Sequence, residues 1–322
     1  MSQFWKQKKV VITGGAGFIG SHLLERLVSL GSSVTVYDRY TERKKKLLES
    51  LNVPVNSIWG DCRDYDSVMN AVKEHEVFIQ LAAHVRDVEY NVTHPASILT
   101  DNLQIIANAF RAVQETGIER FLFISSACVY PNDCIIPTPE TEGARGAPEK
   151  NNAGYGWGCR MGEVLARYCH EEYGIKISIV RPYNIYGPRD HFEQGTFHVI
   201  PSLIQKVFSG DKTITVWGSG NQTRAFLYID DLVSGILTTI QSYPQPDPIN
   251  LGSDEEITIK DLVALIISLS GKDVDVEFDL SKPEGSPRRC ADMSNAREAI
   301  GFKSNIRLRD GLKRTIEWYE KQ

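Results

Sequence analysis

Three glycines, Gly14, Gly17 and Gly20, fall in the run Thr13-Gly14-Gly15-Ala16-Gly17-Phe18-Ile19-Gly20, spaced as GxxGxxG. Positions without side chains let a backbone turn tightly, approach a pyrophosphate and let the next helix pack on the strand before it. The phosphate, with Phe18 and Ile19 among its contacts, then sits near the positive end of that helix's dipole, where an anion is favoured. About 20 residues further on, a second strand ends in Asp38, the place from which an acid reaches the ribose hydroxyls of a dinucleotide. The charge on Asp38 repels a 2′-phosphate, which favours NAD over NADP. Arg39 and Arg43 follow closely and work against that preference.

These residues need a strand, a turn and a helix to hold them. Lys9–Thr13 is a short β-branched run, Ser21–Leu30 has helical apolar spacing, and Gly31 supplies a stop. Ser33–Tyr37, Ser57–Trp59, Val77–Leu81 and Phe121–Ser125 read as further strands. Helices are expected near Tyr65–Lys73 and from about Asn102 to Glu115. Such alternation predicts an α/β protein with a Rossmann-type, doubly wound parallel sheet. Pro131–Ala153 reads as a loop, Tyr155–Tyr173 as a helix and Ile177–Arg181 as a strand. Beyond Pro182, glycine and proline punctuate short strands such as Ile214–Trp217 and helices near Ile259–Leu269 and Leu308–Lys321. A smaller C-terminal α/β substrate domain is expected there. The division runs 1–182 plus 224–252 for the first domain and 183–223 plus 253–322 for the second.

The chain has 322 residues, 42% hydrophobic and 24% charged, with a formal net charge of −5. That balance gives no electrostatic reason to expect nucleic acid or a membrane surface as partner. The basic run Arg43-Lys44-Lys45-Lys46 reads as a solvated helix face. Six cysteines form no CxxC pair and no zinc-spaced cluster, so free thiols and no metal are expected. The N-terminus lacks the apolar core of a secretory signal, and no apolar stretch nears the length of a membrane span. A cytoplasmic setting follows as an expectation.

Several motifs occur in a telling order: the glycine spacing, Gly60-Asp61-Cys62-Arg63-Asp64, Leu81-Ala82-Ala83-His84, Ser125-Ser126-Ala127, Tyr155 on a helix, and Arg181-Pro182-Tyr183-Asn184. Together they resemble the extended short-chain dehydrogenase/reductases, the NAD-dependent epimerase/dehydratase family of nucleotide-sugar enzymes. The resemblance covers nearly the whole chain. It implies that Asp61, with Cys62, meets the adenine, and that Leu81, Ala82 and Ala83 line the cofactor. It also implies a homodimer. In that family a Ser or Thr, a Tyr and a Lys four residues later share hydride transfer; residues i and i+4 lie on one helix face, so the ammonium stabilises the phenolate. Ser126 and Tyr155 match the first two positions. At the third stands Cys159, a thiol where the ammonium belongs. Either a working enzyme is altered at this position, or the protein has given up redox chemistry.

Ser126-Ala127-Cys128 is similar to the serine-x-cysteine motif of GDP-mannose 3,5-epimerases and GDP-fucose synthases. Phe197-His198-Val199-Ile200-Pro201 resembles the segment that carries the second acid/base group in the fucose synthases. By that resemblance Cys128 and His198 would move protons at carbons beside a 4-keto group. The plainer reading makes Cys128 a small residue at a strand end and His198 a helix-start residue. Asn184, Arg224 and Arg289 resemble family positions that hold the nucleotide diphosphate, and planar guanidinium groups suit that task. Tyr228-Ile229-Asp230-Asp231 reads as structural, its acids capping a helix. The expectation is an NAD-dependent nucleotide-sugar epimerase working through a 4-keto hexose, with inversion at C3 or C5 where Cys128 and His198 act. A 4,6-dehydratase, a 4-ketoreductase and a non-catalytic binder of NAD and a nucleotide sugar stand as alternatives.

Overall fold

In a parallel sheet covered on both faces, strands carry apolar side chains to both sides. The first strand does so: Val10 and Ile12 pack with Leu23, Leu24 and Leu27 on one side, Val11 with Phe78, Phe110 and Phe121 on the other. The structure is a computed structural model that describes residues 2–192, 198–282 and 285–322; Phe197 lies outside them.

In chain order the first half runs β1 (Lys9–Thr13), α1 (Phe18–Ser29), β2 (Ser33–Asp38), α2 (Glu42–Ser50), β3 (Asn56–Trp59), α3 (Tyr65–Val72) and β4 (Val77–Gln80). Then follow α4 (Pro95–Thr116), β5 (Arg120–Ile124), α5 (Ala153–Tyr173) and β6 (Ile177–Pro182). After α6 (Val199–Val207), β7 (Thr223–Ala225) and α7 (Ile229–Ser242), the strand β8 (Pro248–Leu251) returns to the main sheet. The sheet has seven strands in the order β8-β6-β5-β4-β1-β2-β3, and every pairing in it is parallel. This is a Rossmann-like α/β fold. The strand order reverses between β1 and β4, and ligands of such sheets bind outside the strand ends at that switch point.

The remaining chain holds β9 (Glu256–Thr258), α8 (Ile259–Ser270), β10 (Arg288–Arg289) and α9 (Leu308–Tyr319). β7 lies between β9 and β10 in a small three-stranded sheet. In the parallel β7–β10 pair, Arg224 stands opposite Arg289.

Some local expectations are corrected. α1 begins at Phe18 rather than Ser21, so the glycine loop feeds straight into helical amides. α4 begins at Pro95, seven residues before the expected start, because proline at the first helical position has its φ preset and needs no N–H there. Asp230 and Asp231 do not cap α7, which has no side-chain cap; Asp231 instead accepts from the amides of Asn305 and Ile306 ahead of α9.

Candidate active site

The glycine loop is a cradle that side chains would fill. Gly14 takes a φ of +72°, and a Cβ there would stand 3.0 Å from the Ala82 amide nitrogen. A Cβ on Gly20 would lie 2.4 Å from the Gly14 carbonyl oxygen, whereas one on Gly17 would meet that oxygen at 3.1 Å. The amides of Phe18 and Ile19 open α1, and no side chain caps it; the first amides of a helix lack partners within it. Ala82 sits beside the loop at the end of β4, its amide 3.5 Å from Thr13 Oγ1, with Leu81 and the exposed Ala83 on either side. This donor set, closed by an acid at the end of β2, fits a dinucleotide pyrophosphate and its ribose.

Asp38 is 6% exposed and already engaged. Its Oδ2 accepts from the Ala16 amide at 3.0 Å, and its Oδ1 from the Arg39 amide at 2.8 Å and Lys44 Nζ at 2.5 Å. The basic run is therefore not solvated along its whole length, since Lys44 turns inward. Asp61 is gripped by Arg63, which holds its carboxyl below the usual range. Cys62 is buried, and burial together with the nearby carboxylates pushes its thiol up to about 12.

The catalytic candidates gather where α5 crosses the end of β5. Two glycines let the helix approach: a Cβ on Gly156 would strike the Cys128 carbonyl oxygen at 2.6 Å, and one on Gly162 the Phe123 ring at 2.2 Å. Ser126 caps a short 3-10 turn, its Oγ accepting from the Cys128 amide at 3.2 Å. Ser126 and Cys159 both bear on the ionisation of the Tyr155 hydroxyl. Burial, and then the ionisable thiols of Cys159 and Cys128, push that hydroxyl well above its ordinary pKa. Cys159 is 2% exposed, and burial pushes its thiol upward too. Arg160 gives no substitute ammonium. Its guanidinium donates to the carbonyls of Val129, Arg145 and Gly146 and clamps the loop instead.

The Cys128 thiol is raised by burial and by Glu149 but drawn back by Arg289. Arg289 also pairs with Glu149 at 3.2 Å. Burial opposes its charge, yet Glu149 and Cys128 hold it more firmly protonated than usual. Arg224, across the strand pair, is pulled down to about 10 by burial and by repulsion from Arg289. Two guanidinium groups held this close form a site that asks for an anion. Asn184 has a left-handed φ of 44°, and its Nδ2 donates to the Ala225 carbonyl, so it ties the loop after β6 to β7.

His198 stands at the start of α6, where its Nδ1 meets Asp190 Oδ1 at 2.7 Å. His191 turns its Nδ1 onto the same oxygen at 3.2 Å, so three groups with metal-ligating atoms cluster at one point. Burial opposes ionisation of Asp190, but hydrogen bonds from the two histidines keep its carboxyl below the usual range. The cluster is moored to the cofactor helix: His22 bonds the Pro188 carbonyl at 2.9 Å, and Arg189 pairs with Glu25 at 2.5 Å.

Sequence reasoning missed Lys44, Glu149 and Asp190, and with them the buried ion pair of Glu163 and Arg181 behind the catalytic candidates. There Glu163 accepts from Ser125 Oγ at 2.5 Å and from Arg181 at 2.6 Å. Glu163 and Arg181 could have been found as an acid and a base on adjacent, largely apolar elements. Lys44, Glu149 and Asp190 lie in polar stretches that carry no such mark.

Against known proteins, the family model described as NAD dependent epimerase/dehydratase matches residues 10–252. A dTDP-4-dehydro-6-deoxy-D-allose reductase of a Streptomyces species is 32% identical over 98% of this chain and 97% of its own. A probable GDP-L-fucose synthase 1 of Oryza sativa subsp. japonica is 32% identical over 98% and 92%. Among solved structures, the UDP-N-acetylglucosamine 4-epimerase of Methanobrevibacter ruminantium superposes with a TM-score of 0.89 at 28% identity, covering 98% of this chain and 99% of that one.

Proposed function

The chain belongs to the NAD-dependent epimerase/dehydratase family, and from that premise we propose that it epimerises a nucleotide-diphosphate hexose through a 4-keto form. The observation that carries this reading is Cys128, which shares the short turn capped by Ser126 at the point where the helix of Tyr155 packs closely through Gly156, and whose thiol is influenced by Arg289. NAD, when bound, would take the hydride from C4 and give it back. Ser126 and Tyr155 would face the C4 oxygen; Tyr155 takes the O4 proton as C4 is oxidised and returns it when the carbonyl is reduced, and because its pKa is raised it must first give up its own proton to solvent. Cys128, whose pKa is also raised, is a proton donor to a carbon beside the carbonyl. His198, with Nδ1–H given to Asp190, offers Nε2 as the partner base. Arg224 and Arg289 hold the diphosphate, and Asn184 fixes the loop beneath it. The division of labour between residues 1–182 plus 224–252 and residues 183–223 plus 253–322 belongs to the same proposal.

A 4-ketoreductase is the second reading. A neutral phenol starts in the state that protonates a newly reduced carbonyl, and one relative carries a reductase's name. The experiment offers GDP-, dTDP- and UDP-linked 4-keto hexoses in deuterium oxide and reads the product by NMR. Deuterium at C3 or C5 is expected. Product without it would return Cys128 and His198 to structural roles and leave C4 chemistry alone.

The protein is also proposed to be a homodimer in a reducing cytoplasm. Trp157, Met161, Val164 and Tyr168 recur along one exposed stripe of α5, at 39%, 43%, 39% and 58% exposure. All six cysteines are free, and no helix among the described residues is long and apolar enough to cross a membrane. Sedimentation should give a dimer that Met161→Glu dissociates; a monomeric wild type would remove this part.

A further inference from the structure

We propose that Lys44 sets the dinucleotide choice: by pairing with Asp38 it admits a ribose 2′-phosphate, so the protein binds NADP(H) as well as NAD(H). An unpaired buried acid at the end of β2 would repel that phosphate. Here the acid is met by a cation at 2.5 Å, and the lysine side chain is itself only 28% exposed, so solvent screens the pair incompletely. The position of Lys44 is built in. Thr41 caps α2 by accepting from the Lys44 amide at 3.2 Å, which fixes the first helical turn so that Nζ reaches back to Asp38.

A second observation points the same way. Arg39 acts on the Asp61 carboxylate, and Arg39 and Lys44 both act on the Cys62 thiol. Two cations therefore serve the same pocket, one on the acid that would face the ribose and one close to the residues expected at the adenine. Lys44 also occupies Asp38 Oδ1, which already accepts from the Arg39 amide. With Oδ2 taken by the Ala16 amide, a ribose hydroxyl must share Asp38 with donors already in place. The lysine thus favours NADP over NAD, and its removal lowers the NADP affinity without lowering the NAD affinity. Loss of folding would move them together.

The test measures dissociation constants of NAD⁺ and NADP⁺ for the full chain by calorimetry, in wild type, Lys44→Ala and Lys44→Arg. Lys44→Ala is expected to weaken NADP⁺ by about tenfold and to leave NAD⁺ unchanged or tighter. Lys44→Arg, which keeps the charge, should preserve the wild-type ratio within about threefold. Adenosine 2′,5′-bisphosphate against AMP as competitors should show the same loss, which confines the effect to the 2′-phosphate. An unchanged ratio in Lys44→Ala, or both affinities falling together, overturns the proposal.

Discussion

The glycine cradle and the strip of catalytic candidates, Ser126, Cys128, Tyr155 and Cys159, lie at the C-terminal ends of the sheet's strands and are built on different principles. The cradle is made of backbone: glycines that a Cβ would crowd, helix-start amides, and one acid at a strand end. The strip is made of side chains, and its ionisable members are pushed toward their neutral forms. Tyr155 and Cys159 both rise, burial leading each time, and no adjacent ammonium offsets it. A site made of backbone keeps its binding chemistry as long as the turn forms. A site made of side chains can lose one charge and keep its shape, so binding and turnover are separable here.

The largest effect expected from breaking that contrast is at position 159. Cys159→Lys puts an ammonium one helical turn from Tyr155, where a shift of about two pKa units in the phenol amounts to roughly 2.7 kcal/mol, or about a hundredfold. Single-turnover appearance of reduced dinucleotide should quicken by that order. The pH profile sharpens the point. With its pKa raised, wild-type Tyr155 deprotonates only in strong alkali, so oxidation should climb with pH without a plateau, whereas the lysine variant should level off earlier. A lysine variant no faster than wild type, with an unmoved profile, would favour the non-catalytic binder.

The cradle offers the smaller tests. Gly20→Ala drives a Cβ against a backbone carbonyl at 2.4 Å, and overpacking of that kind costs about 1–3 kcal/mol. Dinucleotide affinity should fall about ten- to a hundredfold while the strip is untouched. Gly17→Ala meets the same carbonyl at 3.1 Å and should cost less than Gly20→Ala. Equal losses in calorimetric titration would mean that phosphate contact, not loop packing, governs both positions.

The sequence by itself determined the parallel sheet, the cradle, and Tyr155 and Cys159 on one helix face, whereas it was the family resemblance that joined Ser126 to them. Those features follow from local spacing: β-branched runs between glycines, and residues four apart on a helix. Tertiary structure decided which side chains meet across elements. Lys44 read as one of four solvated cations until packing of α2 laid it on Asp38. Arg289 read as a diphosphate ligand, and only the pairing of β10 with β7 showed that it stands opposite Arg224 and pairs with Glu149. Asp190 carried no signal at all, because its meaning lies in a histidine eight residues away that the chain must fold back to reach. Backbone conformation answers to neighbours in sequence, whereas the partner of a charged side chain is fixed by whichever element burial brings alongside it.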